Sequence, residues 1–335
     1  MPGVIDRFPP GTFTAFVLRP PVTGDYNVYN GVPVEVVFGS RNNLKAAWRL
    51  WIYASRNRDL IFHGFNTGPF FMLVLRLARV KAAIYSIRGT LHYNGSVQKI
   101  LRKLAWRAAL SGNYYLISNS EYSRDIFLKF LYPLAPDVKV LYNPVGSQRT
   151  KSILPDGQRD GLNIIYAGRL AEGKNLFRWI DMAVSIHGKR SDARFYIYGK
   201  GPLEGSLTAY SRSCGAETYI SFKGFNPNLS EIYSNADLMM FLSEAESFGN
   251  AVVESILLGV PVIAADIPSI REIFRDFPEF LVSTGPLMEH EILDKIDRTE
   301  ELKASALKAS EDFSMRFSVE QHVRELRLIY GKKYR

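Results

Sequence analysis

The feature that most constrains the fold is a repeated alternation of short β-branched or aromatic runs with longer amphipathic stretches. Such alternation is typical of βαβ units, in which helices cover a parallel sheet. It runs through residues 1–145, stops over the polar, Pro- and Gly-containing stretch 146–161, and starts again at 162. A chain of 335 residues is long enough for two domains. We therefore predict two doubly wound α/β domains joined by a linker, with ligands at the carboxyl ends of the strands.

Composition excludes several classes of protein. With 47% hydrophobic and 22% charged residues, the chain is neither disordered nor fibrous. Cys214 is the single cysteine, which excludes an intrachain disulfide and favours a reduced, cytoplasmic environment. No apolar run approaches the ~18 residues of a membrane-spanning helix. The first residues lack the apolar core of a signal peptide.

Positive charge is concentrated in the first half. Residues 1–150 contain 19 Lys and Arg against 7 Asp and Glu, whereas residues 151–335 contain 23 against 26. The predicted helices at 42–55 and 96–110 combine cations with Trp, which predicts peripheral contact with an anionic membrane through exposed Trp side chains such as Trp106. The alternative is that these helices bury their Trp residues in the core. Nucleic-acid binding is not expected, because no binding motif accompanies the charge.

The first motif is YAGRLAEGKN at 166–175. A strand ends at Gly168, and Arg169 and Lys174 lie on the loop that leads into the next helix. Two cations and the free N–H groups of a helix start can converge on one diphosphate. The alternative is a pair of solvated surface cations.

The second motif, FYIYGKGPLEG at 195–205, suggests a dinucleotide-binding turn, but Glu204 occupies the third glycine position of that fingerprint. A carboxylate would repel a pyrophosphate at this position. We interpret the segment as a tight strand-to-helix turn, and Glu204 argues against an NAD-dependent oxidoreductase.

The third motif runs from 241 to 266. Glu246 lies in a loop after a strand, and Glu254 lies within an apolar helix. A carboxylate in such surroundings needs a partner, which two vicinal ribose hydroxyls could provide. A neighbouring Lys or Arg is the alternative, and it stays open at this point.

Together and in this order, the three motifs resemble the C-terminal domain of the family-4 retaining glycosyltransferases, which have the GT-B fold. That family carries a GRL-x-x-x-K-N segment, a G-x-G-P turn and an E-x7-E element, and the match runs over about 162–272. The resemblance implies two Rossmann-like domains, 1–145 on the acceptor side and 146–316 on the nucleotide-sugar side, with helix 317–335 packing back on the first. It implies sugar transfer from a UDP- or GDP-linked donor to a lipid-linked or polysaccharide acceptor in surface-glycan biosynthesis, without a metal or other cofactor.

The resemblance also assigns roles to residues. Arg169 and Lys174 would hold the donor diphosphate, Glu254 would bind the ribose, and Glu246 would contact the donor sugar as a catalytic residue. The segment from Asp266 to Glu272 lacks the glycines of the family's G-G-x-x-E element, which leaves its role open. The predicted donor-binding residues are Gly168, Arg169, Lys174, Ser247, Phe248, Gly249, Asn250 and Glu254.

The first half resembles the family less closely. FHGFNTGPF at 62–70 and AIYSIRGTL at 83–91 are similar to the family's N-terminal strand ends. This resemblance implies catalytic roles for His63 and Arg88, and an acceptor-side role for His92, for which a surface-loop histidine is the alternative.

The first βα unit of the family has no counterpart, since RFPPGTFTAFVL at 7–18 resembles the family's next strand. Three explanations stay open: a truncated chain, a minimal enzyme, or a subunit completed by a partner chain. The alternative function is therefore a non-catalytic glycosyltransferase-like subunit that binds a nucleotide sugar or a partner enzyme, and we expect the protein at the inner face of the membrane in either case.

Overall fold

The computed structural model describes Arg7 and residues 28–29, 32–33, 43–89, 96–111, 114–145 and 161–331. The chain divides into two compact units, one of residues 1–146 with 319–335 and one of residues 147–318. Most of the predicted linker and the predicted strand within 7–18 lie outside the described residues. The structure therefore does not test whether the first βα unit is missing.

The first unit is built on a parallel sheet. Its elements are β1 (Val28–Tyr29), β2 (Val32–Pro33), α1 (Asn43–Arg56), β3 (Ile61–Phe65), α2 (Pro69–Leu77), β4 (Ala82–Ile87), α3 (Ser96–Ala109), β5 (Tyr114–Ser118), α4 (Glu121–Leu131) and β6 (Val138–Val140). Strands β3 to β6 lie side by side in chain order, and every pair is parallel. β1 and β2 form a separate antiparallel pair.

The second unit contains a six-stranded parallel sheet. Its elements are β7 (Asn163–Ala167), α5 (Leu176–Lys189), β8 (Arg194–Tyr198), α6 (Glu204–Ser213), β9 (Ile220–Gly224), α7 (Leu229–Ser234), β10 (Leu238–Phe241), α8 (Asn250–Leu257), β11 (Val262–Ala265), α9 (Pro268–Ile273), a 3-10 turn (Pro278–Phe280), β12 (Leu281–Val282), α10 (Met288–Asp297) and α11 (Thr299–Arg316).

The chain reverses its winding direction between β7 and β10. β8 and β9 extend the sheet on one side of β7, and β10 to β12 extend it on the other. At such a switch point, the loops that leave the carboxyl ends of neighbouring strands diverge and form a ligand-binding crevice. Because β7 and β10 are paired, the loops 168–175 and 242–249 leave from this point.

The last helix, α12 (Val319–Gly331), belongs to the first unit. Alternate residues of a strand point to opposite faces of a sheet, so Tyr85 joins one core of this unit and Ile84 joins a second. The second, smaller core is closed by α12 through Val323, Leu326 and Ile329.

Helix α3 corrects one prediction. Trp106 was predicted to be exposed beside the cations, but it is 1% exposed. Its ring packs edge-to-face on Tyr85 and Phe127, with centroids 4.8 and 5.0 Å away. Burying an indole removes more apolar surface from water than burying any one aliphatic side chain, and this orientation turns the opposite apolar stripe outward. The exposed side chains of that stripe are Ile100, Leu101 and Leu104.

Three helices of the second unit, α9, α10 and α11, were not predicted from the sequence. α11 packs against α8, and its buried residues include Ala306 and Ala309. Small buried residues give a helix little hydrophobic periodicity, which is the main signal of helix in a single sequence.

Candidate functional site

The loop that follows β7 carries the first motif. The Gly168 N–H donates to the carbonyl oxygen of Tyr198 at 3.0 Å, which ties the loop to the end of β8. Arg169 is exposed, and Lys174 is half-buried two residues before α5 begins. Both cations therefore lie on one loop at the carboxyl edge of the sheet.

The glycines of the second motif allow two backbones to touch. A Cβ on Gly199 would lie 1.8 Å from the Gly168 oxygen, and a Cβ on Gly201 would lie 2.1 Å from the Leu170 oxygen. Gly199 also has a φ of 143°, which side-chain-bearing residues rarely adopt. These glycines form a tight turn against which the backbone of the first loop packs.

The loop that follows β10 joins the first loop directly. The Glu244 N–H donates to the Gly173 oxygen at 2.9 Å. The Lys174 ammonium forms an ion pair with the Glu246 carboxylate, and their side chains are only 23% and 14% exposed. Burial, and secondly the nearby Glu246 charge, raise the pKa of Tyr166 beneath the loop. Lys174, which was predicted to hold the diphosphate, is thus paired with Glu246, the predicted catalytic carboxylate.

Gly249 determines how the second loop enters α8. Its φ is 114°, and a Cβ there would lie 2.6 Å from Cδ1 of Ile270 on α9. Backbone conformation and packing therefore both require glycine at this position.

The residues beside Gly249 differ in what they can offer a ligand. Phe248 is 2% exposed, and its ring lies 5.4 Å from that of Phe317, so its side chain belongs to the core. Only the backbone of Phe248 can face a ligand. Ser247 is half-buried and Asn250 is exposed at the first turn of α8. In this turn the N–H groups of Val252 and Val253 donate to the Gly249 oxygen at 3.1 and 3.3 Å.

Glu254 is a half-buried carboxylate on an otherwise apolar helix. Burial raises its pKa. Within the described part of the chain, no Lys or Arg pairs with it and no hydrogen bond reaches its carboxylate. The alternative of a neighbouring cation is therefore not found, and the carboxylate is available to a ligand. No group of three or more His, Cys, Asp or Glu among the described residues is placed to hold a metal ion.

In the first unit, His63 lies on β3 with both ring nitrogens engaged. Nδ1 is 3.0 Å from the Tyr330 hydroxyl, and Nε2 is 2.7 Å from the Ser86 hydroxyl. Burial, followed by the charge of Arg88 and by His322, lowers the pKa of His63 to about 3. His63 is therefore neutral at physiological pH and presents no free nitrogen.

Arg88 directly follows β4, at the carboxyl end of that strand. Burial lowers its pKa to about 10. Its guanidinium lies 4.9 Å from the ring centroid of Phe65, and the backbone N–H of Arg88 donates to Oδ1 of Asn66 at 2.7 Å. The structure thus brings Arg88 and His63 to the same end of one sheet. His92 lies outside the described residues.

Sequence reasoning missed three residues of this cluster, namely Ser86, Tyr330 and His322. His322 is 3% exposed, and its Nδ1 donates to the Tyr142 oxygen at 2.8 Å. The alternation of β4 places Ser86 on the same face as Ile84 and was a usable signal. The resemblance implied that helix 317–335 packs on the first domain, but it did not pair α12 with β3.

Residues 155–314 match the model of a family described as glycosyl transferases group 1. This match agrees with the predicted resemblance and covers all three motifs of the second unit.

Among curated proteins, the chain is similar to the UDP-N-acetylglucosamine--peptide N-acetylglucosaminyltransferase GtfA subunit of Streptococcus gordonii, with 27% identity over 164 residues. That stretch covers 49% of this chain and 32% of the streptococcal protein. The chain therefore spans about a third of the length of this relative.

Among solved structures, Anabaena HepE in complex with UDP and glucose superposes with a TM-score of 0.75 at 20% identity, over 90% of this chain and 87% of that one. The pneumococcal O-GlcNAc transferase GtfA in complex with UDP and GlcNAc gives 0.61 at 19% identity, over 76% and 53%. These likenesses confirm the predicted fold class of two Rossmann-like domains.

Proposed function

We propose that this chain, whose residues 155–314 match the model of the glycosyl transferases group 1 family, is a retaining glycosyltransferase that uses a nucleotide-diphosphate sugar. One observation carries the proposal: cations and carboxylates meet where winding reverses between β7 and β10. Lys174 and Glu246 are paired there, Arg169 lies on the same loop as Lys174, and Glu254 follows on α8.

The chemistry of transfer needs these groups. When the bond between the sugar and the nucleoside diphosphate breaks, negative charge develops on the departing diphosphate. Fixed cations and backbone N–H groups stabilise such charge where it forms. Arg169 and Lys174 supply the cations, and the N-terminus of α8 adds the positive end of a helix dipole, so we propose that transfer proceeds without a metal. Glu246 then lies beside the diphosphate, where the donor sugar would be.

The donor is proposed to be UDP-linked rather than GDP-linked. The name of the streptococcal relative includes UDP-N-acetylglucosamine, and HepE and pneumococcal GtfA are both described in complex with UDP. Glu254, a carboxylate in apolar surroundings, would accept hydrogen bonds from both ribose hydroxyls.

Thermal unfolding in the presence of UDP, GDP and ADP tests this donor site. A ligand at 100 times its Kd stabilises a protein by about 2.7 kcal/mol. We expect UDP to raise the melting temperature of the wild type but not of Lys174→Ala or Glu254→Ala. Lys308→Ala and Glu311→Ala, at exposed positions of α11, serve as matched controls and should keep the shift. Equal shifts in all five proteins would contradict the site.

The acceptor is proposed to be lipid-linked or a polysaccharide, reached at the inner face of a membrane. The first unit presents a three-helix face made of α1, α2 and α3, in which α2 packs against both neighbours. These helices contain no Asp or Glu. No helix among the described residues is long and apolar enough to cross a bilayer. The large exposed apolar side chains of the face are Leu44, Trp48, Trp51, Phe70, Leu77, Ile100, Leu101 and Leu104.

Cations surround these apolar side chains. Lys45 and Arg49 are exposed on α1, and Lys99 and Arg102 are exposed on α3. An exposed apolar patch ringed by cations is typical of surfaces that lie on anionic lipid. The face therefore supports membrane contact through aliphatic side chains of α3 and the Trp residues of α1.

Vesicle sedimentation tests this contact. We expect the protein to sediment with vesicles of phosphatidylglycerol and phosphatidylcholine, but not with phosphatidylcholine alone. Leu104→Ser should weaken sedimentation. Leu307→Ser is the matched control, since Leu307 is 58% exposed on the second unit and Leu104 is 55% exposed. Equal binding to both vesicle types, or equal loss in both variants, would argue against the three-helix face.

A second candidate is a subunit that binds the nucleotide sugar and acts with a partner chain. The streptococcal relative, itself named a subunit, supports it. UDP release from UDP-N-acetylglucosamine and UDP-glucose, measured with the purified chain, separates the two. Turnover that Glu246→Gln abolishes supports the enzyme, whereas UDP binding without turnover of any donor supports the subunit.

A further inference from the structure

Two hydroxyls hold the ring of His63 from its two sides. Tyr330 lies 3.0 Å from Nδ1 and Ser86 lies 2.7 Å from Nε2, both within hydrogen-bonding distance. Ser86 comes from the adjacent strand β4. Tyr330 comes from α12, 267 residues away in sequence. The last helix of the chain thus supplies one of the two partners of a predicted catalytic residue.

The ring between these hydroxyls is neutral, because it is buried and lies near the charge of Arg88. A neutral imidazole donates from one nitrogen and accepts at the other. One hydroxyl must therefore donate to His63, and the other must accept from it. Which nitrogen carries the proton is determined by the hydrogen bond made at the other.

We propose that Tyr330 is a positioning residue that selects the tautomer and fixes the orientation of His63. Burial raises the pKa of Tyr330 from the ordinary value of about 10 to about 12, and its phenol remains a stronger hydrogen-bond donor than the alkyl hydroxyl of serine. Tyr330 therefore donates to Nδ1, the proton of the ring resides on Nε2, and Nε2 donates to the Ser86 oxygen.

The orientation of His63 is passed on to groups that a ligand can reach. The His63 ring stacks on Phe65, with centroids 4.2 Å apart and an interplanar angle of 24°. Phe65 is 41% exposed and lies under the Arg88 guanidinium. Tyr330 thus acts, through His63, on the Phe65–Arg88 pair. The inference rests on the proposed function only in taking this pair as part of the acceptor side.

Nitrogen-15 NMR of histidine-labelled protein tests the proposal without any transfer assay. A deprotonated imidazole nitrogen resonates far downfield of a protonated one. The chain has five histidines, and loss of one signal set in His63→Gln assigns the ring. In the wild type we expect a deprotonated Nδ1 and a protonated Nε2. A protonated Nδ1 in the wild type overturns the proposal by itself.

Variants then separate the two hydroxyls. In Tyr330→Phe, Nδ1 loses its donor, so the proton moves in whole or in part to Nδ1, and the two resonances move toward each other or exchange places. Ser86→Ala should keep the wild-type tautomer, because Tyr330 still donates. Tyr115→Phe, which removes another hydroxyl beside the same small core, is the matched control and should leave His63 unchanged. Wild-type shifts in Tyr330→Phe, or a tautomer change in Ser86→Ala alone, would overturn the assignment. Since no readout depends on a nucleotide-sugar donor, failure here is distinct from failure of the proposed function.

Discussion

The ion pair between Lys174 and Glu246 has a consequence for nucleotide binding. The ammonium that would hold the diphosphate is already paired with a carboxylate. UDP must compete with Glu246 for Lys174. The Glu246 carboxylate also repels the negative charge of the UDP diphosphate. Glu246→Gln keeps the size of the side chain and removes the charge. We therefore predict that Glu246→Gln binds UDP more tightly than the wild type.

The size of the gain follows from the burial of the pair. Exposed ion pairs contribute about 0–1 kcal/mol, and hydrogen bonds to charged groups contribute about 1.5–3 kcal/mol. With side chains 23% and 14% exposed, this pair lies between those cases. A gain of about 1–2 kcal/mol corresponds to a UDP affinity that is about 5- to 30-fold higher.

Isothermal titration of UDP measures this directly, and a double-mutant cycle attributes it. Lys174→Ala should weaken UDP binding. Lys174→Ala combined with Glu246→Gln should gain much less than Glu246→Gln gains alone, because the carboxylate no longer has the competing ammonium to hold. Unchanged or weaker UDP binding by Glu246→Gln would refute the reasoning. An equal gain with and without Lys174 would show that simple charge repulsion is responsible.

Three further predictions concern stability. Burial raises the pKa of Glu254 in the folded chain, so its charged form opposes folding. Glu254→Gln should therefore raise the melting temperature at pH 7. The gain should fade as the pH falls toward the ordinary carboxyl pKa of 4.5, because the wild-type carboxyl then takes up its proton. Gly259 lies just after α8, with a φ of 82° and no atom within 4 Å of an added Cβ. Gly259→Ala should lower the free energy of unfolding in urea by about 1–2 kcal/mol because of this positive φ. Gly249→Ala should lower it by about 1–3 kcal/mol more because of the clash with α9, and equal losses would contradict that clash. Trp106→Ala should cost about 3–5 kcal/mol, whereas Trp48→Ala should stay within about 0.5 kcal/mol; the reverse order in urea unfolding would contradict the observed orientation of α3.

The sheets could be predicted because parallel strands are covered on both faces. Every residue of β4, and every residue of β10 and β11, is buried, so these strands appear in the sequence as continuous apolar or small-residue runs. The local positions of Arg169, Lys174, Glu246 and Glu254 could be predicted as well, because each lies on a loop or helix within its own motif.

The pairings between distant residues could not be predicted in this way. Lys174 and Glu246 are 72 residues apart, and only the order of strands in the sheet brings their loops together. The resemblance led us to expect that the last helix packs on the first domain, but not that Tyr330 of this helix contacts His63.

The prediction of which face of α3 is buried failed for a different reason. The helix has two apolar stripes, and counting apolar residues favours Ile100, Leu101 and Leu104 as the inward one. The aromatic pocket formed by Tyr85 and Phe127 accepts Trp106 instead. The shape of the partner surface, which no local pattern contains, decides between the two stripes.

The most direct test of the account is hydrogen exchange, followed by mass spectrometry, with and without saturating UDP. The central claim is that a nucleoside diphosphate binds where the winding of the second unit reverses. The account predicts slower exchange in peptides that cover 168–175 and 246–254, and no such change in these peptides for Lys174→Ala at the same UDP concentration. Protection confined to other segments, or no protection at a UDP concentration that shifts the melting temperature, would contradict it.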